Sequence, residues 1–275
     1  MLLNDLIKGL ETLETRGNLN TEITGIAYDS RKVKNGSIFV CIDGTKVDGH
    51  EFTASAIENG AKALLVQKDV SVPEDIAVVK TTNTRYALAH ISDRFFGHPS
   101  GRINLVGVTG TKGKTTTTYM IKAILEKQRQ KVGLIGTISN MIGDEVLYTE
   151  RTTPESYDLQ ALFSEMLEKN VDTAVMEVSS QGLALHRVSC CQFDIGVFTN
   201  ISMDHIGPLE HKDFDDYLMA KMKLFKMCKK GIVNIDNKYG GEVIKNAECE
   251  VLTLGIDNNA DLKAIDIKEH PTSVE

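Results

Sequence analysis

The segment INLVGVTGTKGKTTTT, residues 103–118, limits the fold of this chain more than any other. An apolar, strand-like run feeds straight into a turn carrying Gly110 and Gly113. Lys114 and a row of threonines follow and open a helix expected to run to about residue 129. Glycines in such a turn let backbone N–H groups point inward, onto phosphate oxygens at the positive end of the helix. Lys114 would reach terminal phosphates, and the Thr115 hydroxyl would take a Mg²⁺ position. The common spacing GxxxxGK[ST] asks for glycine at 108, where this chain has Val108, so GTxGKTT describes the loop better. The expected nucleotide contacts are Gly110, Thr111, Lys112, Gly113, Lys114, Thr115 and Thr116.

Around this loop runs a series of strand candidates: KVGLIGT (131–137), DTAVMEVSS (172–180), FDIGVFTN (193–200) and KGIVNID (230–236). They are apolar throughout rather than alternating. Strands of that kind are buried on both faces, which implies a mostly parallel sheet flanked by helices. A smaller series precedes them. GSIFVCI (36–42), AKALLVQ (61–67) and IAVVK (76–80) read as strands, with helices expected at 52–60 and 83–96. Gly97, Pro99, Ser100 and Gly101 punctuate the chain between the two series. The reading is therefore an α/β protein with a small N-terminal α/β domain, 1–98, followed by a phosphate-loop domain, 99–275. At the start, Leu2, Leu3, Leu6, Ile7, Leu10 and Leu13 fall on one side of a predicted helix.

Composition narrows the function classes. The formal net charge is −7, which argues against a protein devoted to holding nucleic acid but leaves room for a locally basic pocket. Five cysteines without a CxxC pair fit reduced thiols in a cytoplasmic protein. Charges inside the first leucine-rich stretch lead to the expectation that it is not a signal peptide, and no apolar run approaches the roughly 20 residues that span a bilayer.

A phosphate loop needs a carboxylate for its metal, and ligands of open α/β sheets sit at strand carboxyl ends. Glu177, closing the run AVME, is the candidate. Asp204 and His205 fall just past the next strand. Lys221 lies on a helix near Leu218, Met222 and Phe225, and composition alone treats it as a surface lysine.

Five motifs in this order, GTKGKTT (110–116), RTTPE (151–155), MEVSS (176–180), TNISMDH (199–205) and YLMAKMKLF (217–225), resemble those of the Mur ligases. These enzymes join amino acids to the cell-wall precursor UDP-N-acetylmuramic acid. ITGIAYDSRKVKNGSIFVCIDGTKVDGHEF (23–52) is similar to the UDP-binding domain of the MurE and MurF types. TTPE and MEVSS, followed by HRV (186–188), point to the MurE type. That type adds a diamino acid as the third residue of UDP-MurNAc-L-Ala-D-Glu.

The resemblance implies an ATP-dependent ligase working through an acyl phosphate, with Lys114, Glu177, His205 and Lys221 as catalytic residues. It implies Mg²⁺ held by Thr115 and Glu177, and a second Mg²⁺ by His205 and Lys221, the lysine carrying a carbamate made from CO₂. Ser30 would contact the UDP part of the substrate and Thr45 its uridine side. Thr152, Thr153, Ser179 and Arg187 would hold the muramoyl-peptide arm. The expected partners are the UDP-MurNAc-dipeptide and an amino acid, for a cytoplasmic monomer without nucleic-acid or membrane partners.

Leu185 and Arg151 stand where relatives often carry glutamine and asparagine. The third domain of Mur ligases has no counterpart in the sequence, so the expectation is a truncated ligase that keeps its fold but ligates little. Three other readings remain: a MurF or folylpolyglutamate-type ligase, a nucleotide-dependent switch or motor, and a non-catalytic UDP-sugar or nucleotide-binding remnant. TTPE with MEVSS argues against the first, and the lack of an NKxD element against the second.

Overall fold

The computed structural model describes residues 1–44, 47–208, 210–270 and 273–274. It divides into two compact units. One comprises Met1–Pro99, Glu155–Ser164 and Leu185–Cys190. The other comprises Ser100–Pro154, Glu165–Ala184 and Cys191–Glu275.

The first unit is built on strands β1 (Glu14–Arg16), β2 (Gly25–Ala27), β3 (Ser37–Val40), β4 (Ala63–Val66) and β5 (Ala77–Lys80), with helices α1 (Leu3–Leu6), α2 (Thr53–Glu58) and α3 (Thr84–Phe95). Their order is β1-β5-β4-β3-β2, parallel except where β1 meets β5. Alternation along the strands supplies both faces with core. Ile38, Val40, Ala63, Leu65, Ala77 and Val79 join Leu3, Leu6, Leu88 and Ile91 on one side. Phe39, Cys41, Leu64, Val66 and Val78 join Ala56 and Ala61 on the other. Successive strand side chains point to opposite faces, so each short apolar run serves two helix layers.

The predicted N-terminal helix is shorter than its leucine pattern suggests. Only Leu3–Leu6 is α-helical, and Gly9 turns the chain at φ +83°, a conformation glycine adopts without a Cβ penalty. Leu3, Leu6, Ile7 and Leu10 are buried, whereas Leu2 and Leu13 are exposed. Leu13 instead donates its backbone N–H to Lys80, extending the β1 pairing.

The second unit contains β6 (Asn104–Thr109), β7 (Val132–Ile135), β8 (Asn140–Ile142), β9 (Glu145–Leu147), β10 (Thr173–Glu177), β11 (Phe193–Phe198), β12 (Cys228–Asn234), β13 (Glu250–Gly255) and β14 (Leu262–Lys263). Its helices are α4 (Lys114–Lys127), α5 (Ser156–Glu168, whose first residues group with the first unit), α6 (Ser180–Ala184), α7 (Phe214–Met222) and α8 (Gly240–Lys245). The sheet order is β14-β13-β12-β11-β6-β10-β7-β8-β9. Pairing is parallel from β14 to β7 and antiparallel through the β7-β8-β9 meander.

Strands β6, β7 and β10 are buried almost end to end, as their unbroken apolar runs require. Val106, Val108, Val132, Val175 and Val197 form one core layer, against which Ile121 and Leu125 of α4 pack. Because β6 lies between β10 and β11, the loop after it opens onto the carboxyl ends of both. Among the described residues no helix is long and apolar enough to cross a membrane.

Candidate active site

The turn between β6 and α4 brings together most of the residues singled out in the second unit. Gly110 has φ +154°, and a Cβ there would stand 2.0 Å from the Thr199 hydroxyl oxygen and 3.0 Å from the Asn200 carbonyl. Only glycine fits so close an approach. Gly113 caps α4 at φ +85°, so the chain turns abruptly and the first N–H groups of the helix are left without intrahelical acceptors. These N–H groups, from Gly113 to Thr116, are of the kind that a helix start can offer to an anion.

Not every amide expected to turn inward does so. The Thr111 N–H bonds the Asn200 carbonyl at 2.9 Å, and the Lys112 N–H bonds Asn200 Oδ1 at 3.0 Å. Asn200 Nδ2 returns a bond to the Lys112 carbonyl at 3.0 Å, and the Thr199 hydroxyl donates to that same carbonyl at 2.8 Å. Thr199 and Asn200 therefore clamp the loop to the end of β11. Their place in the TNISMDH motif was a signal of importance, but nothing in it disclosed the clamp.

Glu177 ends β10 at 1% exposure. Its Oε1 accepts the Thr115 hydroxyl at 3.0 Å and the Thr137 N–H at 2.9 Å, while Oε2 accepts the Thr137 hydroxyl at 3.1 Å. Thr137 Oγ1 also lies 2.9 Å from Thr152 Oγ1. Thr153 is fully buried; its hydroxyl donates to the Glu177 carbonyl at 2.9 Å and lies 3.0 Å from Ser179 Oγ, which accepts the Gly182 N–H. Thr152, Thr153 and Ser179 are thus joined to Glu177 in one hydroxyl network. Thr137, absent from the sequence-level set, holds the carboxylate.

Lys221 is no surface residue. Helix α7, capped by the Asp213 side chain, turns Tyr217 and Lys221 inward one turn apart. Lys221 is 1% exposed. Its Nζ donates to the Gly110 carbonyl at 2.8 Å and stands 4.5 Å above the Tyr217 ring. Lys114 Nζ donates to that same carbonyl at 2.9 Å and to Thr111 O at 3.2 Å. Two amines on one carbonyl oxygen repel one another. Burial and the neighbouring Lys114 pull the Lys221 pKa down to about 7, against an opposing pull from Asp204. Burial also lowers that of Lys114, opposed by Glu177 and Asp204. The Tyr217 hydroxyl lies 3.0 Å from the Thr111 hydroxyl, tying α7 to the loop.

His205 lies beside this cluster, its ring centroid 5.7 Å from that of Tyr217 and its Nδ1 3.0 Å from Glu210 Oε1. His211 is buried against Tyr217, with Nδ1 2.9 Å from Asp216; its Nε2 has no hydrogen-bond partner among the described residues.

The donor set suits Mg²⁺ at one position. The Thr115 hydroxyl and Glu177 carboxylate are hard oxygen donors already 3.0 Å apart, and Mg²⁺ commonly takes one or two protein oxygens with phosphates and water supplying the rest. No group of three or more His, Cys, Asp or Glu among the described residues could hold a metal unaided. At His205 and Lys221 an ammonium would repel a cation, so that pair fits one only after the amine has become an anion.

The first unit holds the remaining expected residues. Ser30 is 8% exposed, and its carbonyl accepts from Asn59 Nδ2 at 3.0 Å. A cleft of about 530 Å³ lies alongside, lined by Tyr28, Asp29, Lys32, Asn35, Tyr157 and Asp158 among others, though not by Ser30 itself. Arg187 Nε bonds Glu155 Oε1 at 3.1 Å, and Arg85 reaches the other oxygen at 3.6 Å. Glu155, quoted only as part of a motif, is thereby a buried anion between two arginines. Thr45 lies outside the described residues.

Comparison with known proteins agrees with these motifs. Residues 108–275 match the family model described as Mur ligase middle domain, and residues 22–96 match that described as Mur ligase family, catalytic domain. A UDP-N-acetylmuramoyl-L-alanyl-D-glutamate--2,6-diaminopimelate ligase of Clostridium perfringens is 46% identical over 280 residues, and one of Caldanaerobacter subterraneus 48% over 276. In both cases the match takes in 100% of this chain and 57% of the relative, so the chain spans little more than half their length. A solved structure of a ligase of the same name superposes with a TM-score of 0.84 at 23% identity, covering 100% of this chain and 56% of that one. MurF from Acinetobacter baumannii gives 0.66 at 22%, covering 99% and 57%.

Proposed function

The chain belongs to the Mur ligase family, and from that premise we propose that it carries the UDP-sugar- and ATP-handling part of a ligase of the MurE type. The reaction is addition of a diamino acid, 2,6-diaminopimelate in the relatives' names, to UDP-MurNAc-L-Ala-D-Glu. In this reading residues 1–98 serve the UDP-sugar and 99–275 the ATP.

A carboxylate is a poor acyl donor, because its leaving group would be oxide. Transfer of the ATP γ-phosphoryl to the D-Glu side-chain carboxylate creates an acyl phosphate. The amine then attacks its carbonyl carbon, and phosphate departs with the C–O bonding pair. Catalysis of phosphoryl transfer lies mostly in positioning and charge neutralisation. Gly113 to Thr116 offer N–H groups to the phosphates, and Lys114 exchanges its loop carbonyls for phosphate oxygens. Mg²⁺, when held by Thr115 and Glu177, supplies further neutralisation of phosphoryl charge. Ser30 and Thr45 carry the contacts to the UDP part of the substrate, and Thr152, Thr153, Ser179 and Arg187 those to its muramoyl-peptide arm. Arg187 suits an anionic group because its planar fork binds two oxygens.

Lys221 is the second anion-forming element. With a pKa near 7, roughly half of the amine is neutral at neutral pH. A neutral amine can attack CO₂, lose its proton and become a carbamate, which with His205 would suit a second Mg²⁺. The observation that carries the reading is the convergence of Lys114 and Lys221 on the Gly110 carbonyl, with Thr115 at the helix start bonded to Glu177 at the end of β10. Equilibrium binding of Mg-ATP tests it. Lys114→Met should weaken binding at least about tenfold, equivalent to 1.4 kcal/mol. Unchanged affinity in that variant would overturn the assignment.

A further inference from the structure

Cys228 and Cys249 lie apart from the site described above, yet their sulfurs are 3.5 Å apart. Both are free thiols and half-buried. Cys228 opens β12 and Cys249 immediately precedes β13, and these strands run parallel in register from Lys230 opposite Glu250. Both cysteines lie just ahead of that ladder, Cys228 two residues and Cys249 one residue before its first pair. By that register Cys249 falls opposite position 229, so the two cysteines are staggered by one residue across strands about 4.8 Å apart, a placement compatible with the Cα separations disulfides require.

Two glycines leave the space that the sulfurs fill. A Cβ at Gly196 would stand 2.9 Å from Cys228 Sγ, and one at Gly231 would stand 3.3 Å from Cys249 Sγ. By contrast Cys41 and Cys191 are buried.

We propose that Cys228 and Cys249 form a thiol–disulfide exchange site, oxidised by small-molecule disulfides to a reversible bond between β12 and β13. The thiolate of Cys249 attacks one sulfur of the reagent R–S–S–R, and RS⁻ leaves and takes a proton. The Cys228 thiol then loses its proton to solvent and attacks the Cys249 sulfur of the mixed disulfide, expelling the second RS⁻. Two protein thiols are oxidised and one disulfide is reduced to two RSH. Burial and the adjacent thiol push the Cys228 pKa up to about 12, so the opening attack falls to Cys249.

The test is incubation of the whole chain with oxidised glutathione, followed by thiol titration and peptide mapping without reduction. Two of the five thiols should be lost, with a Cys228–Cys249 cross-link, no retained glutathione, and recovery on adding dithiothreitol. In Cys228→Ser, Cys249 should instead keep its glutathione. Five persistent thiols, a stable glutathione adduct on Cys249 of the unsubstituted protein, or a bond mapped between Cys190 and Cys191 would each overturn the proposal. The mapping of the unsubstituted chain decides this even if a variant folds poorly.

Discussion

Replacing Lys221 by methionine should make the folded protein more stable near neutral pH, and the gain should fade as the solution becomes alkaline. The ordinary lysine value is 10.5 and the folded value about 7. A group whose folded pKa is depressed in this way binds more protons in the unfolded chain between those two values. Folding stability therefore rises with pH across that window and is lowest, as far as this group is concerned, below pH 7. At about 1.36 kcal/mol per pH unit, the interval amounts to roughly 5 kcal/mol as an upper bound. Methionine keeps comparable bulk beside Tyr217 but gives up the bond to the Gly110 carbonyl, about 1 kcal/mol, although Lys114 remains as donor to that oxygen. A net gain of about 2–3 kcal/mol at pH 6.5 should thus shrink markedly by pH 9.5. Urea unfolding of both proteins at the two pH values, in buffers purged of CO₂, measures this. A stability difference that does not change with pH would refute the reasoning, because its source is the cost of charging the amine, set by burial and by the neighbouring Lys114.

Gly110→Ala should abolish detectable Mg-ATP binding and cost about 1–3 kcal/mol of stability, since the new methyl group collides with Thr199 and Asn200; calorimetry and urea unfolding check the two effects. Glu177→Gln keeps an oxygen for Thr115 and Thr137 but loses the negative charge, so the fold should survive while Mg-ATP affinity falls about tenfold. Equal affinity in a magnesium titration would contradict the assigned role. Glu155→Ala should destabilise the protein by about 3 kcal/mol, because Arg187 and Arg85 lose their shared buried anion. A change under about 0.5 kcal/mol in urea unfolding would show the pair to be idle.

What the sequence disclosed, and what it hid, follows from the range of the interactions. β6, β10 and β11 were legible because largely apolar runs of that length admit few other fates, and the places of Glu177 and Lys114 in the fold because one closes such a run and the other opens the helix after it. The first helix was overextended because its leucine spacing continues past Gly9, while the backbone does not. The β8-β9 hairpin and β13 escaped notice, being short or half-exposed. Lys221 could be placed by resemblance alone. Its burial depends on α7 folding against a loop more than 100 residues earlier in the chain, which no local pattern reveals. Glu155 and Asn200 act likewise through partners 32 and 88 positions away, and composition at those positions is ordinary.

Titration of the chain with UDP-MurNAc-L-Ala-D-Glu by calorimetry tests the central claim most directly. Saturable binding, weakened by Ser30→Ala and absent with unmodified UDP-glucose at the same concentrations, is the expected result. A folded protein that binds Mg-ATP but gives no heat with this UDP-sugar would contradict the assignment to the MurE type.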